Sequence, residues 1–409
     1  MKKKVLIIMP YENMYPPKNG GLQRCFNLFN QLTKHFEVTC VTHDSKENLL
    51  SGSENYPSTL NAAIYTSHNQ KAAKDIFSLL PGRLGNAVKY RWLTKDFKHS
   101  ADGSFLKLYP VLKNVLKKDT FDYIILENLS LTRQARWMRQ YNKKAKIIYN
   151  AYNVDSLLAQ KKDSGSVQQQ KEIDDLANTE SNLYKVIDGI FCCSQVDLDT
   201  FTDLNQRKIG INYVLPNGVD TTFFSHSVNI EQQHLKNIIF CGSLDYEPNK
   251  EGLLWFYKNV WPLVIERLPG RMLYVVGRGN SESYRELLKD ATVNFIGEVP
   301  EVTPFYRKCN VAIAPLLQGS GTRLKILEAM SLGNPVVTTS IGIEGIDAKA
   351  SEDVLVSDDA RGFADAVIHL STDAGFSEYI SNNARRLVEN KYSWDFIGDS
   401  LAAFLESAS

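Results

Sequence analysis

A chain of 409 residues, 43% hydrophobic and 23% charged, has the composition of an ordinary globular protein and is too long for one core. No apolar run approaches the length of a membrane span, and the run Val5–Met9 behind Met1-Lys-Lys-Lys4 is too short for a signal peptide and stops at Pro10. The net charge of +1 hides a split: residues 1–150 hold 24 Lys and Arg against 11 Asp and Glu, and the remainder holds 23 against 35.

In chain order, the first half alternates strand and helix. Strands are expected at Val5–Met9 and Glu37–Thr42 with a helix at Gly21–Lys34 between them, and a polar, less regular stretch over 44–75. Helical spacing follows at 84–97 and 105–117. Then come a strand Phe121–Leu126, a helix Leu131–Tyr141, a strand Ala145–Tyr149 and a long amphipathic helix spaced by Ile173, Leu176, Leu183 and Val186. A strand Gly189–Cys193 runs into Ser194, an N-cap with Asp197 in the capping-box position, and a strand Ile211–Leu215 ends in Pro216-Asn-Gly-Val219. Residues 225–236 are polar, without periodicity, and read as a linker.

The second half is more regular. Strands are expected at Asn237–Cys241, Arg271–Val276, Thr292–Ile296, Val311–Pro315, Pro335–Thr338 and Val354–Val356. Helices are expected at Lys250–Leu268, Ser281–Lys289, Val302–Arg307, Thr322–Leu332, 360–371, 375–390 and 393–406. Such β-α alternation predicts parallel sheets covered by helices on both faces, here two doubly wound Rossmann-like domains facing a cleft, with ligands at the carboxyl ends of the strands. Six cysteines without C-x-x-C or metal spacing read as reduced, buried thiols.

One segment carries the most chemistry. After the strand at 311–315, Gly319-Ser320-Gly321-Thr322 leads into a helix bearing Arg323, Leu324, Lys325 and Glu328. A glycine-rich turn, a helix N-terminus and two cations favour a phosphate or diphosphate, and Glu328 lies a turn or more further in, within reach of a ribose hydroxyl. Three other strand ends carry glycine loops: Cys241-Gly242-Ser243 with Asn249 downstream, Val276-Gly277-Arg278-Gly279, and Gly297-Glu298-Val299. Four such ends in succession suit one elongated ligand of base, ribose and diphosphate. In the first half, Gly20-Gly21 opens a helix behind strand 1, where an anion site and a simple turn both remain open. There is no G-x-G-x-x-G after strand 1 and no Walker A lysine motif, which speaks against a dehydrogenase or a P-loop NTPase.

These residues resemble the GT-B glycosyltransferases of the large retaining family 4. The resemblance runs from Gly20-Gly21 through Asn217-Gly-Val-Asp220 to the block 319–345, with Gly333-Asn-Pro-Val-Val-Thr338 and Gly342-Ile-Glu-Gly345, and on to Tyr392-Ser-Trp394. It implies an acceptor-binding domain over 1–224, the linker 225–236, a nucleotide-sugar domain over 237–391, and a last helix, 392–409, packing back on the first domain. It further implies that the Gly21 amide meets the donor diphosphate, that Glu298 and Val299 hold the base, and that Glu328 binds ribose. Arg323, Lys325, Glu328 and Asp155 form the implied catalytic set.

Two positions depart from the family pattern. Ser320 replaces the first glutamate of Glu-x7-Glu. Ser243 replaces the arginine after the glycine of the first C-domain strand, with the partner lysine position near Pro248-Asn249. Arg323 and Lys325 are expected to supply the missing charge. On the acceptor side, Asn150-Ala-Tyr-Asn-Val-Asp155 resembles the family's His-Asn-x-Glu segment, with Tyr152 at the histidine. Asn153 and Asp155 either touch sugar or acceptor or hold a strand-end turn, and Glu127 sits at another strand end.

The expected activity is retaining sugar transfer from a nucleotide diphospho-sugar to an acceptor hydroxyl, in bacterial cell-surface polysaccharide or glycolipid synthesis. Neither a metal nor another cofactor is expected. An inactive GT-B assembly partner and a nucleotide-sugar epimerase are the alternatives. The expected partners are a nucleotide-sugar donor and a saccharide or lipid-linked acceptor, with no nucleic acid. The basic, aromatic-interleaved stretch 83–98 reads either as a surface for anionic lipid or as a solvated face over a buried stripe. The expected location is cytoplasmic, with a peripheral place on the inner face of the membrane left open.

Overall fold

The computed structural model describes residues 2–12, 14–15, 17, 19–44, 62–67, 103–161, 165–225, 237–279, 284, 289–319 and 323–408. The expected helices at 84–97 and 281–289, most of the 225–236 linker, and Ser320, Gly321 and Thr322 lie outside the described residues. The chain forms two compact units, one of Met1–Leu215 with Gly398–Ser409 and one of Pro216–Ile397.

The first unit is built on seven strands: β1 Lys4–Met9, β2 Glu37–Thr42, β3 Ala63–Thr66, β4 Tyr123–Leu126, β5 Lys146–Asn150, β6 Gly189–Cys192 and β7 Ile211–Val214. Their order in the sheet is β3-β2-β1-β4-β5-β6-β7, and all pairings are parallel. Continuous apolar runs account for this. Val5 to Met9 are fully buried and β4 is buried throughout, as strands covered by helices on both faces require. The order reverses direction between β1 and β4, so the loops after those strands diverge and leave a crevice at their carboxyl ends.

The second unit repeats the plan with six strands: β8 Asn237–Cys241, β9 Leu273–Val276, β10 Val293–Gly297, β11 Cys309–Ala314, β12 Val336–Thr338 and β13 Leu355–Val356. The order β10-β9-β8-β11-β12-β13 is again all parallel, with its switch between β8 and β11.

Several elements differ from the sequence expectation, each for a local reason. Residues 216–224 pack with the second unit: Val219 N–H donates to the Tyr392 carbonyl (2.8 Å) and Ser331 Oγ to that of Phe224 (2.8 Å). The helix expected at 131–141 is two, Leu129–Thr132 and Ala135–Tyr141, the first capped by Asn128. The helix at 250–268 widens into a π-turn at Phe256–Val260 just ahead of Pro262, whose ring nitrogen has no proton to donate. The long amphipathic helix is Val167–Glu180 and stops before Leu183. The Ser194 cap forms as expected, accepting from Asp197 N–H (3.1 Å), and all six cysteines are free and buried.

The last helix, Trp394–Ser407, contributes residues 398–407 to the first unit. Its end is held by polar contacts: Lys3 Nζ and Tyr123 Oη both donate to the Leu405 carbonyl, at 2.8 and 2.6 Å. Phe404 stacks on Tyr213 with ring centroids 4.4 Å apart. Leu401 is fully buried here. Leu401→Ala should therefore lower the unfolding free energy by about 2–5 kcal/mol, read from the denaturant midpoint. A change below about 0.5 kcal/mol would show that this helix end is not part of the core.

Candidate functional site

In the second unit the carboxyl ends of β10, β9, β8 and β11 stand side by side. Three gaps between strands give a row of about 14 Å, the scale of a nucleoside diphosphate with a sugar attached. Glu298 and Val299 follow β10, the first exposed and the second half-buried. Gly277 follows β9 at φ +150°, and a Cβ there would come within 2.0 Å of the Gly242 carbonyl oxygen. That crossing brings the ends of β8 and β9 together, and only glycine permits it.

The centre of the row is a cation on the end of β8. Lys325, in the first turn of the helix Leu324–Ser331, donates from Nζ to Asn249 Oδ1, and Asn249 Nδ2 donates to the Ser243 carbonyl (2.7 Å). A Cβ on Gly242 would lie 2.9 Å from Asn249 Nδ2 and 3.1 Å from Lys325 Nζ, so this glycine makes room for the pair. The ammonium lies 5.1 Å from the Phe240 ring centroid. Burial, aided by Arg323, lowers the Lys325 pKa to about 8, against the opposing pull of Cys241 and Glu328.

Arg323 is the N-cap residue of this helix, with φ −87° and ψ 85°, rather than a helical residue, and it is 7% exposed. Its guanidinium packs against Gly319: a Cβ at that glycine, which has φ +127°, would meet Nη2 at 2.9 Å. The Arg323 side chain does not cap the first amides of the helix, and a helix N-terminus favours an anion. Leu324 packs partly into the apolar cluster beneath. Glu328, one turn after Leu324, has its carboxyl pKa raised to about 7 by burial, with Lys325 opposing. Arg323, Lys325, Glu328, Gly242, Ser243, Asn249 and Gly277 are thus gathered at one sheet edge.

The first unit has a polar network at its own switch point. Glu127 follows β4 and is 1% exposed. Its Oε2 accepts from Asn150 Nδ2 (2.9 Å) and Tyr152 Oη (2.6 Å), and its backbone carbonyl accepts from Tyr11 Oη (2.7 Å). Arg24, equally buried, donates to Asn150 Oδ1 (2.8 Å) and sits 5.6 Å from the Tyr152 ring. Burial raises the Glu127 pKa to about 7, opposed by Tyr152, Arg24 and Asn150. Glu127 therefore ties strand ends together instead of lying open to solvent. The hydrogen-bonded network of Arg24, Asn150 and Tyr152 around it is a feature that sequence reasoning missed. A buried arginine on the first helix face was the available signal.

Gly20 and Gly21 begin the helix Gly20–His35. Asn19 accepts from Leu22 N–H (2.9 Å), which leaves the amides of both glycines outside the cap. Asp155 begins a short helix, Asp155–Gln160, whose first amides are capped from a distance. Glu180 accepts from Asp155 N–H (2.6 Å) and from Ser156 N–H. Burial raises the Asp155 carboxyl to about 6 and Glu180 likewise to about 6, the Asp155 charge adding to the rise at Glu180. Asn153 is half-buried on the same loop.

The pH dependence of stability follows from these carboxyls. Glu127 and Glu328 move from 4.5 to about 7, so the folded chain keeps protons that the unfolded chain has released. Their contribution is complete below the unfolded value and is lost as pH rises through about 7. The thermal midpoint should fall between about pH 5 and about pH 8, and Glu127→Gln should flatten that slope. A Glu127→Gln profile parallel to the parent's would contradict the assignment.

Comparisons with known proteins bear on this site. Residues 235–373, which contain the row of strand ends, match the family model described as glycosyl transferases group 1. An uncharacterized 44.6 kDa protein of the cps region of Klebsiella pneumoniae is 30% identical over 167 residues, 39% of this chain and 43% of that protein. The phosphatidyl-myo-inositol mannosyltransferase of Mycolicibacterium smegmatis is 28% identical over 204 residues, 48% of this chain and 52% of its own. The chain thus spans about half the length of the curated relatives it matches. HepE of Anabaena, solved in complex with UDP, aligns with a TM-score of 0.67 at 13% identity over 99% of this chain and 100% of its own. Sucrose-phosphate synthase of Thermosynechococcus elongatus aligns with a TM-score of 0.67 at 16% identity, covering 100% of both chains. The two parallel-sheet units are those of the GT-B glycosyltransferase fold.

Proposed function

We propose that this protein transfers a sugar, with retention at the anomeric carbon, from a nucleotide diphospho-sugar to an acceptor hydroxyl. The observation that carries the reading is the Lys325–Asn249 pair seated over Gly242, with Arg323 and Glu328 beside it, at the switch point of the segment matching group 1 glycosyl transferases. Base and ribose run toward β10 and Glu328, and the diphosphate lies on Lys325, Arg323 and the first amides of their helix. As the glycosidic bond breaks, negative charge grows on the departing diphosphate. Two fixed cations at a half-buried strand end stabilise that charge without reorganising. The departure at Ser243 is then compensated, because Lys325 occupies the space beside Gly242 and Asn249.

The residues supply positive charge without a metal, and the reading is metal-independent. The acceptor falls to the first unit, whose strand-end loop carries Asn153 and Asp155. A relative named for phosphatidylinositol mannosylation supports a lipid-linked acceptor, and a capsular polysaccharide biosynthesis glycosyltransferase of Staphylococcus aureus supports a role in surface polysaccharide.

Thermal shift against UDP-, GDP- and ADP-sugars should identify one stabilising donor, and Arg323→Ala should cut turnover of that donor by about 10²–10³-fold. No shift with any donor would sink the reading, and activity lost in EDTA and restored by Mn²⁺ would remove its metal-independent part. Donor binding should also take up protons. Lys325 has its pKa lowered to about 8 in the free chain, and a bound diphosphate raises that value, so near pH 8 the neutral amine fraction takes up protons on binding. Calorimetry in two buffers of different ionisation enthalpy reads this uptake. Lys325→Met should abolish it, and an unchanged uptake would show that the diphosphate does not meet this side chain.

A further inference from the structure

We infer that the first unit carries a second anion site, at the amino ends of its strands, for a phosphate-bearing ligand with an apolar part. A cavity of about 470 Å³ opens there, lined among others by Lys146, Tyr184, Arg207, Lys208 and Ile209. That volume falls in the range of small-molecule sites. Lys146 begins β5 and Ile211 begins β7, so the cavity lies at the opposite end of the sheet from the strand ends that hold Glu127 and Asn150. It is therefore distinct from the Glu127–Asn150 network of the same unit.

The floor is built. Ile187 and Ile209 are buried in the apolar core of the unit. Gly210, at φ +36°, lets the chain pass so close to Asp188 that a Cβ would come within 2.2 Å of the Asp188 carbonyl oxygen. Ile211 N–H donates to that same carbonyl at 2.9 Å.

The charge is one-sided. The acid in the lining, Asp188, is already engaged: its Oδ2 accepts from Arg139 Nη2 (2.9 Å) and from Ile147 N–H (2.8 Å). Lys146, Arg207 and Lys208 make no ion pair among the described residues, so their charge is not neutralised from within the cavity. The Tyr184 ring has Arg207 at 5.2 Å and Lys185 at 5.4 Å from its centroid. Arg207 thus stands between an aromatic ring and the cavity it lines, where an anion can be met by its guanidinium. Apolar floor, aromatic wall and cationic rim together suit a phosphate attached to an apolar or planar group. A free phosphate compound and a lipid headgroup share this chemistry.

Two arms separate the sources. The full chain is titrated with inorganic pyrophosphate, and separately floated with phosphatidylcholine vesicles with and without phosphatidylglycerol. Hydrogen–deuterium exchange locates whatever binds. Saturable binding in at least one arm is expected, with protection over residues 206–211. Arg207→Ala with Lys208→Ala should weaken it at least about tenfold, and both side chains are exposed, so folding is retained. Binding in the vesicle arm alone assigns the headgroup, and binding in the pyrophosphate arm assigns the free compound. No saturable binding in either arm, protection confined to 323–328, or affinity unchanged in the double variant would each overturn the inference. None of these outcomes depends on the proposed transfer reaction.

Discussion

Each unit depends on a parallel sheet whose central strands are buried on both faces. Such a sheet leaves no side-chain surface for chemistry along the strands themselves, as the fully buried Val5–Met9 shows. Chemistry is displaced to the strand ends. The order of strands then decides which ends matter, because loops part only where the winding reverses, between β1 and β4 and between β8 and β11. Glu127 lies at the first switch and Lys325 at the second, on unrelated loops, for the same topological reason.

Both switch points hold ionisable groups pulled toward neutrality. Lys325 sits at about 8, and Glu328 and Glu127 sit at about 7. The causes are alike, but the two environments are not. Glu127 has Tyr152 and Asn150 as donors and Arg24 nearby, so its network is closed within the unit. Lys325 has one neutral acceptor, Asn249, and a lowered pKa that an anion would restore. A closed network holds strand ends in place, whereas a cation whose one hydrogen bond among the described residues goes to a neutral amide oxygen is suited to an incoming charge.

Much of this was legible in the sequence. The apolar strands, the doubly wound alternation and the 323–328 segment follow from periodicity and glycine placement, because those signals are local. What escaped was set at a distance. The helix Asp155–Gln160 has no cap of its own, and its amides are held by Glu180, from another helix. The edge strand β3 alternates exposed and half-buried residues and has only β2 to specify it. Residues 216–224 read as the end of the first domain, yet hydrogen bonds to Tyr392 and Ser331 place them with the second unit. No pattern within those segments announces such partners.

The glycines separate internal need from external use. Gly277 is required by the backbone itself, since a Cβ there would strike the Gly242 carbonyl, and Gly242 leaves the space in which Lys325 and Asn249 meet. Gly21 is different. Its φ is not positive, and a Cβ would sit in ordinary contact, 3.4 Å from Asn19 Oδ1 and 3.5 Å from Tyr152. Alanine would fit there. Among the described residues nothing beside Gly21 demands a glycine, which suits the proposed approach of a donor diphosphate to its backbone. The amides of Gly20 and Gly21, left out of the Asn19 side-chain cap, are the groups such an approach would meet.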